Sequence, residues 1–193
     1  MITREIENGY IQFDPNFLEQ KEADHYYTTL RAELPWKQGH VKLFGKVHPT
    51  PRLESFHGED GLTYSYSGNT LAATPFTPEL RELKERIEAI TQKQFNCVLV
   101  NFYRDGKDSN GWHADDEKEL GQDPLIASVS LGVTRRFDLR HIKNGHLLHL
   151  DLNHGSLLIM GGALQHFWKH RIGRSQKIST GRINLTFRYI IND

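Results

Sequence analysis

The second half of the chain is a succession of short segments in which apolar and polar residues alternate, separated by glycine-containing turns. Alternation with a period of two is typical of strands that bury one face. Many short strands at close intervals favour an antiparallel sandwich or a jelly roll. The segments are 97–103, 125–131, 134–141, 146–151, 155–160, 164–170 and 182–191.

Two helical segments precede these strands. Asp14-Pro15 predicts the start of the first helix, with Asp as the N-cap, and Pro35 ends it. Thr77-Pro78 predicts the second helix in the same way. We therefore predict an α+β chain whose helices cover one outer face of a β core. The buried stripe of the second helix is Leu80, Leu83, Ile87 and Ile90.

Composition limits the classes of protein that remain. The 193 residues are enough for one domain with a hydrophobic core. Lys and Arg balance Asp and Glu at 24 each, so net charge neither favours nor excludes a nucleic-acid partner. Cys97 stands alone in an apolar run, which favours a role in the core. With no apolar segment of bilayer length and no signal-peptide pattern, we expect a cytoplasmic protein without a membrane partner.

The stretch 110–117 contains a possible metal site. In an extended chain His113 and Asp115 point to the same face, which places an imidazole nitrogen beside a carboxylate oxygen. One more histidine would complete the 2-His-1-carboxylate triad that binds Fe(II) and leaves coordination positions open. The spacing alone is weak evidence, because His149 and Asp151 repeat it.

The third ligand is expected on a later strand. His166 and His170 both qualify, and residues four apart on a strand share a face, so geometry does not choose between them. His154 begins a glycine turn and is a poorer candidate.

The last strand has one polar and one apolar face. Arg182, Asn184, Thr186 and Arg188 alternate with apolar residues. A solvated face is the simpler interpretation, but two guanidiniums lining an interior would need anionic partners. A dicarboxylate would supply them, because arginine binds carboxylates through paired hydrogen bonds. Asn101 and Tyr103, which alternate onto one face of an earlier strand, would add hydrogen bonds.

Residues 37–52 form a basic segment around Leu43-Phe44-Gly45-Lys46. A basic turn with an aromatic tip is typical of proteins that bind phosphates and insert a wedge into a base stack. Packing of Phe44 onto the core is an equal alternative. Tyr64 and Tyr66 share one face, where they would either stack on a base or pack within the fold.

Together these motifs resemble the AlkB family of Fe(II)/2-oxoglutarate dioxygenases, in particular its DNA repair branch of AlkB homologues 2 and 3. The resemblance covers residues 36–190 and is carried by His113-x-Asp115, the distal His170 and the block from Arg182 to Arg188. It implies a double-stranded β-helix (jelly-roll) core over 95–191 and a nucleotide-recognition lid over 36–70. Both would belong to a single domain, 1–193.

The resemblance also implies roles for individual residues. It selects His170 as the third ligand, so that His113, Asp115 and His170 would hold Fe(II). Arg182 would pair with the distal carboxylate of 2-oxoglutarate, and Arg188 would lie near Asp115. The full 2-oxoglutarate set would be Asn101, Tyr103, Arg182, Asn184, Thr186 and Arg188. Substrate would be bound by Phe44, Gly45, Lys46, Arg52, Tyr64, Tyr66, Asp116 and Glu117, with Phe44 filling the gap left by a flipped base.

The implied activity is oxidative demethylation of 1-methyladenine and 3-methylcytosine in alkylated, double-stranded DNA, with 2-oxoglutarate and O2 consumed and formaldehyde, succinate and CO2 released. Such methyl groups already block pairing, so flipping the base costs less than for a normal pair. The sequence leaves open the same chemistry on RNA, single-stranded DNA or a protein, a non-catalytic nucleic-acid-binding module, and a small-molecule hydroxylase. We expect a monomer in a bacterial cytoplasm, active at the nucleoid.

Overall fold

A computed structural model describes residues 1–43, 45–66 and 69–191. Within them the strands are β1 (Ile2–Ile6), β2 (Gly9–Asp14), β3 (Lys37–Leu43), β4 (Lys46–Gly58), β5 (Thr63–Tyr66), β6 (Asn69–Ala72), β7 (Cys97–Tyr103), β8 (Asn110–His113), β9 (Ile126–Gly132), β10 (Arg135–His141), β11 (Leu147–Leu152), β12 (Ser156–Gly161), β13 (Trp168–Ile172) and β14 (Arg182–Arg188). The helices are α1 (Gln20–Glu33), α2 (Pro78–Thr91), a 3-10 turn (Lys118–Leu120) and α3 (Leu164–Phe167).

Two antiparallel sheets pack against each other. The larger sheet has the strand order β1-β2-β12-β9-β14-β7-β4-β3, and the smaller has the order β11-β10-β13-β8. Side chains of both sheets meet in one core cluster, which includes Leu99 and Met160 of the larger sheet and Phe137 and Trp168 of the smaller. This arrangement confirms the jelly-roll core predicted from the alternating segments.

Helices α1 and α2 cover the outer face of the larger sheet, as predicted. The apolar side chains of β14, Ile183, Leu185 and Phe187, are fully buried in a second cluster with residues of both helices. Because this apolar face is covered by helices, the opposite, polar face of β14 turns towards the smaller sheet. The helices therefore determine which side chains of β14 lie in the interior of the sandwich.

The second helix begins as predicted and differs in one residue of its stripe. Thr77 Oγ1 accepts a hydrogen bond from Leu80 N at 3.3 Å, and Pro78 occupies the first turn. Ile90, predicted to be buried, is 43% exposed. It lies in the last turn of the helix, which ends at Thr91, beyond the buried residues Leu80, Leu83 and Ile87.

The first helix begins later than the sequence predicts. Asp14 ends strand β2, and its Oδ1 accepts a hydrogen bond from Asn16 N at 3.0 Å in a turn. The helix starts at Gln20, because residues 9–14 instead pair with β12 in the larger sheet. The predicted end before Pro35 is confirmed, since α1 ends at Glu33.

The segment 164–170 was predicted as one strand, and this prediction is wrong in its first half. Leu164–Phe167 forms a single helical turn, and β13 begins at Trp168. The helical turn interrupts the alternation, so His166 and His170 do not share a face. Within the described parts of the chain, no helix has the length and apolar character needed to cross a membrane.

Candidate active site

Three potential metal ligands converge between the two sheets. One ligand atom from each of His113, Asp115 and His170 lies within 4.8 Å of the other two. His170 Nε2 lies 3.8 Å from Asp115 Oδ2, and the two imidazole centroids are 4.2 Å apart. Two imidazoles and one carboxylate form the donor set of a facial triad, which suits Fe(II).

Strand pairing brings the two histidines together. His113 is the last residue of β8 and pairs with His170 of the neighbouring β13. Asp115 lies beyond the end of β8, and its backbone N–H donates to Gln165 Oε1 at 3.0 Å. Because Gln165 is itself buried, it fixes the turn that directs Asp115 inward. Gln165 was not predicted as a site residue, because its role depends on the helical turn α3.

The protonation states of the histidines suit metal binding. The carbonyl of Gly111 can only accept, so His113 Nδ1 carries the proton in the 2.8 Å bond between them and Nε2 keeps a lone pair. Burial lowers the pKa of His113, and burial together with His113 lowers the pKa of His170 to about 3. Both imidazoles are therefore neutral at pH 7, which is the form that coordinates a metal ion.

Arg188 of β14 holds one oxygen of Asp115. Its Nη2 donates to Asp115 Oδ1 at 2.7 Å, and both side chains are buried. Burial raises the pKa of Asp115, but Arg188 and the two histidines outweigh this effect and lower the pKa to about 2. The carboxylate is therefore charged at neutral pH, with its other oxygen, Oδ2, towards His170.

A polar surface formed by β7 and β14 lies beside this cluster. The strands pair with Arg182 opposite Tyr103 and with Asn184 opposite Asn101. Arg182 Nη2 donates to Ser130 Oγ at 2.9 Å, and Asn184 Nδ2 donates to Ser128 Oγ at 3.0 Å. The residues that the resemblance assigns to 2-oxoglutarate are thus brought together and buried. They are Asn101, Tyr103, Arg182, Asn184, Thr186 and Arg188.

Two guanidiniums of this surface have donors without partners. Nε and Nη1 of Arg182 and of Arg188 are buried and make no hydrogen bond to the residues that the structure describes. Buried cationic donors without an acceptor are unfavourable, so the pocket fits an anionic ligand that accepts from both arginines. A dicarboxylate such as 2-oxoglutarate, next to a metal ion on the three ligands, satisfies this condition.

Arg52 belongs to the same group of buried residues, although the sequence analysis placed it among the DNA contacts. Its Nε donates to Asn101 Oδ1 at 2.7 Å, and its Nη2 lies 3.9 Å from Glu54 Oε2. Only 3% of Arg52 is exposed. The side chain therefore connects β4 to the polar surface of β7.

The other residues predicted to bind substrate lie in different environments. Gly45 adopts φ +79 in the turn between β3 and β4, a left-handed conformation that favours glycine, and Lys46 next to it is exposed. Phe44 and the Tyr66 side chain lie outside the described residues. Asp116, which follows Asp115 in the chain, is exposed.

Tyr64 and Glu117 lie beneath the cluster. Tyr64 is 1% exposed, its ring stacks on Phe56 with centroids 5.6 Å apart, and the Arg188 guanidinium lies 5.6 Å from its centroid. Glu117 is half-buried, and burial raises the pKa of its carboxyl group. Tyr64 is therefore packed within the fold in this structure, next to a carboxyl group that faces the site.

The histidines that the sequence left as alternatives lie elsewhere. His166 is exposed, with Nε2 3.3 Å from Asp123 Oδ1. His149 and Asp151 are exposed on β11, the edge strand of the smaller sheet farthest from β8. Neither set joins the cluster of His113, Asp115 and His170.

Comparison with known proteins defines the class to which this fold and site belong. The sequence model of the 2OG-Fe(II) oxygenase superfamily matches residues 11–188, and the chain belongs to this superfamily.

Individual relatives confirm the resemblance to AlkB homologues 2 and 3. The chain is 43% identical over 189 residues to alpha-ketoglutarate-dependent dioxygenase alkB homolog 3 of Mus musculus, covering 93% of this chain and 65% of the relative. It is 39% identical over 181 residues to DNA oxidative demethylase ALKBH2 of Homo sapiens, covering 88% of this chain and 69% of the relative. The chain thus spans about two-thirds of the length of these relatives.

A solved structure supports the fold. The structure of OsALKBH1 superposes with a TM-score of 0.63 at 18% identity, covering 96% of this chain and 100% of that chain. At this level of identity the likeness concerns the fold alone.

Proposed function

We propose that this protein is an Fe(II)- and 2-oxoglutarate-dependent dioxygenase that removes N-methyl groups from alkylated bases in DNA. The observation that carries the proposal is the convergence of His113, Asp115 and His170 beside two buried arginines with unpartnered donors. Membership of the superfamily supports the cofactors, and the names of the relatives support oxidative demethylation and a DNA substrate.

The metal-ligand cluster and the polar surface of β7 and β14 would bind different groups. His113, Asp115 and His170 would bind Fe(II). The guanidiniums of Arg182 and Arg188 would donate hydrogen bonds to the carboxylates of 2-oxoglutarate. When bound, Fe(II) and 2-oxoglutarate supply the oxidation of a C–H bond by O2, with succinate and CO2 as co-products. Hydroxylation of an N-methyl group gives a hydroxymethyl group, which leaves as formaldehyde and restores the base.

Arg188 would keep the carboxylate of Asp115 oriented and ionised for metal binding. Its bond to Asp115 Oδ1 at 2.7 Å fixes the carboxylate plane and leaves Oδ2 for the ion. Because the same bond favours the ionised carboxylate, protons do not compete with the metal at Asp115 near neutral pH.

The substrates that we propose are 1-methyladenine and 3-methylcytosine, which carry the methyl group on the pairing edge and are cationic. Asp116 and Glu117 directly follow Asp115 in the chain, and their carboxyl groups would favour a positive base. A base that is already unable to pair is also less costly to extrude from a duplex.

Duplex DNA is the proposed form of the substrate. Residues 36–70 would act as a nucleotide-recognition lid, with Phe44 replacing the extruded base and Lys46 close to the phosphates. We propose that a monomer in the bacterial cytoplasm carries out the reaction.

A comparison of substrate forms tests this proposal. Formaldehyde release is measured on 1-methyladenine in duplex DNA, single-stranded DNA and RNA of one sequence, with wild type, Phe44→Ala and Val47→Ala. Val47 is 65% exposed in the same hairpin and serves as the matched control. Phe44→Ala should reduce activity on the duplex much more than on single strands. Equal losses would remove the wedge role, and release from RNA alone would assign a different substrate.

A further inference from the structure

The Tyr103 ring is held against two buried arginines. The Arg182 guanidinium lies 5.4 Å from the ring centroid, and the Arg135 guanidinium lies 5.6 Å from it. Arg182 is fully buried, and 2% of Arg135 is exposed. Arg182 belongs to the proposed cosubstrate site, whereas Arg135 has no role in the function derived above.

Arg135 is fixed in place by backbone carbonyls. Its Nη1 donates to Asp105 O at 3.1 Å, and its Nη2 donates to Asp108 O at 2.8 Å and to Gly173 O at 2.7 Å. These carbonyls belong to the loop that leads into β8 and to the segment that follows β13. Arg135 therefore connects the loops beside the two strands that carry the histidines of the cluster.

Among the residues that the structure describes, the Arg135 guanidinium bonds to backbone carbonyls and forms no salt bridge with a carboxylate. The side chain of Asp108, whose backbone carbonyl accepts from Arg135, is bound by Arg104 through two hydrogen bonds of 2.8 and 2.9 Å. Burial lowers the pKa of Arg135, and burial also lowers the pKa of Arg182 to about 10. Both guanidiniums are thus cationic at pH 7, and the Tyr103 side of the pocket carries two positive charges.

We infer that Arg135 is a positioning residue for a dicarboxylate cosubstrate, whose distal carboxylate it attracts through the buried interior while it holds Tyr103 against Arg182. This inference depends on the proposed function, in which Arg182 and Tyr103 receive that carboxylate. Two buried cations beside one tyrosine favour a dianion over a monoanion of the same shape. Arg135 would therefore contribute to the selection of 2-oxoglutarate among 2-oxo acids.

The test compares two acids of the same chain length in the metal-loaded protein. 2-Oxopentanoate has a methyl group where 2-oxoglutarate has its distal carboxylate, and titration calorimetry without O2, with Mn(II) in place of Fe(II), gives both dissociation constants. The measured quantity is the ratio of the two affinities for each protein. Arg135→Gln removes the charge and keeps an amide donor, whereas Arg135→Lys keeps the charge. Arg136→Gln is the control, because Arg136 is the neighbouring arginine, is 63% exposed and pairs with Asp138 instead.

We expect Arg135→Gln to lower the preference for 2-oxoglutarate by roughly tenfold. Arg135→Lys should keep most of the preference, and Arg136→Gln should keep all of it. If Arg135 had a purely structural role, Arg135→Gln would weaken the binding of both acids equally. An unchanged ratio of affinities in this variant would therefore overturn the inference. If Arg135→Gln does not fold, loss of the preference in Arg135→Lys overturns it as well. Failure of the wild type to bind 2-oxoglutarate would overturn the proposed function itself.

Discussion

Asp115 and Arg188 form a buried ion pair whose contribution to stability can be tested apart from metal binding. Their atoms lie 2.7 Å apart, with side-chain exposures of 2% and 4%. Replacing Asp115 by Asn would remove the carboxylate that Arg188 binds, and removal of one partner from such a pair costs about 3–5 kcal/mol. We therefore expect the free energy of unfolding of metal-free Asp115→Asn to fall by about this amount at pH 7, measured by urea denaturation with a chelator present.

The pH dependence of this loss is the more specific part of the prediction. The pKa of Asp115 is lowered from 3.8 to about 2 in the folded protein, mainly by Arg188 against the effect of burial. Because the folded pKa lies below the unfolded one, the stabilisation is complete above about pH 5 and decreases as the pH falls towards 2. The shift corresponds to about 2 kcal/mol, most of which should be lost by pH 2.5.

The difference between wild type and Asp115→Asn should therefore shrink by about 1–2 kcal/mol between pH 7 and pH 2.5. Asp60→Asn is the control for removal of an acidic group, because Asp60 is exposed on a turn. Its difference from wild type should stay within about 0.5 kcal/mol throughout. A difference between wild type and Asp115→Asn that is the same at both pH values would refute the charge-pair explanation.

Three further variants test the site and the fold. His170→Ala should abolish Mn(II) binding in equilibrium dialysis, whereas His166→Ala should retain it, and loss in both or neither would contradict the assignment of the third ligand. Arg182→Met should weaken 2-oxoglutarate binding at least tenfold in calorimetry, and an unchanged affinity would place the distal carboxylate elsewhere. Thr77→Ala should lower the free energy of unfolding by about 1 kcal/mol through loss of the N-cap bond to Leu80, with recovery in Thr77→Ser; an unchanged value would show that the cap contributes nothing.

Features that depend on local alternation were predictable from the sequence. Strand β7 has the predicted bounds, 97–103, and the two helices cover one outer face of the β core as predicted. The alternation of polar and apolar residues predicts which side chains share a face. It does not predict which face meets the second sheet. For β14, the helices that cover the apolar face determine that the polar face meets the smaller sheet.

Features that depend on distant partners were not predictable in the same way. Asp14-Pro15 has the local signature of a helix start, yet pairing of residues 9–14 with β12 extends the sheet to Asp14. The single helical turn Leu164–Phe167 has no period long enough to be recognised. Because that turn was not predicted, strand geometry did not distinguish His166 from His170. The family resemblance selected His170 as the third ligand.

The candidate site combines both kinds of feature. The spacing of His113 and Asp115 correctly placed them side by side, although Asp115 lies beyond the strand and depends on Gln165 for its direction. Arg135 and Gln165 carry no motif, because each acts through backbone groups of segments distant in sequence. Such supporting residues become visible when the contacts themselves are known.

The most direct test of the proposed demethylation is mass spectrometry of a duplex oligonucleotide that carries one 1-methyladenine. The oligonucleotide is incubated with the protein, Fe(II), 2-oxoglutarate and air, next to mixtures that lack 2-oxoglutarate or contain His113→Ala. We predict loss of the methyl substituent in the complete wild-type mixture and in neither control, together with formation of succinate. An unchanged oligonucleotide mass in the complete mixture, with the protein folded and 2-oxoglutarate bound, would contradict the proposal.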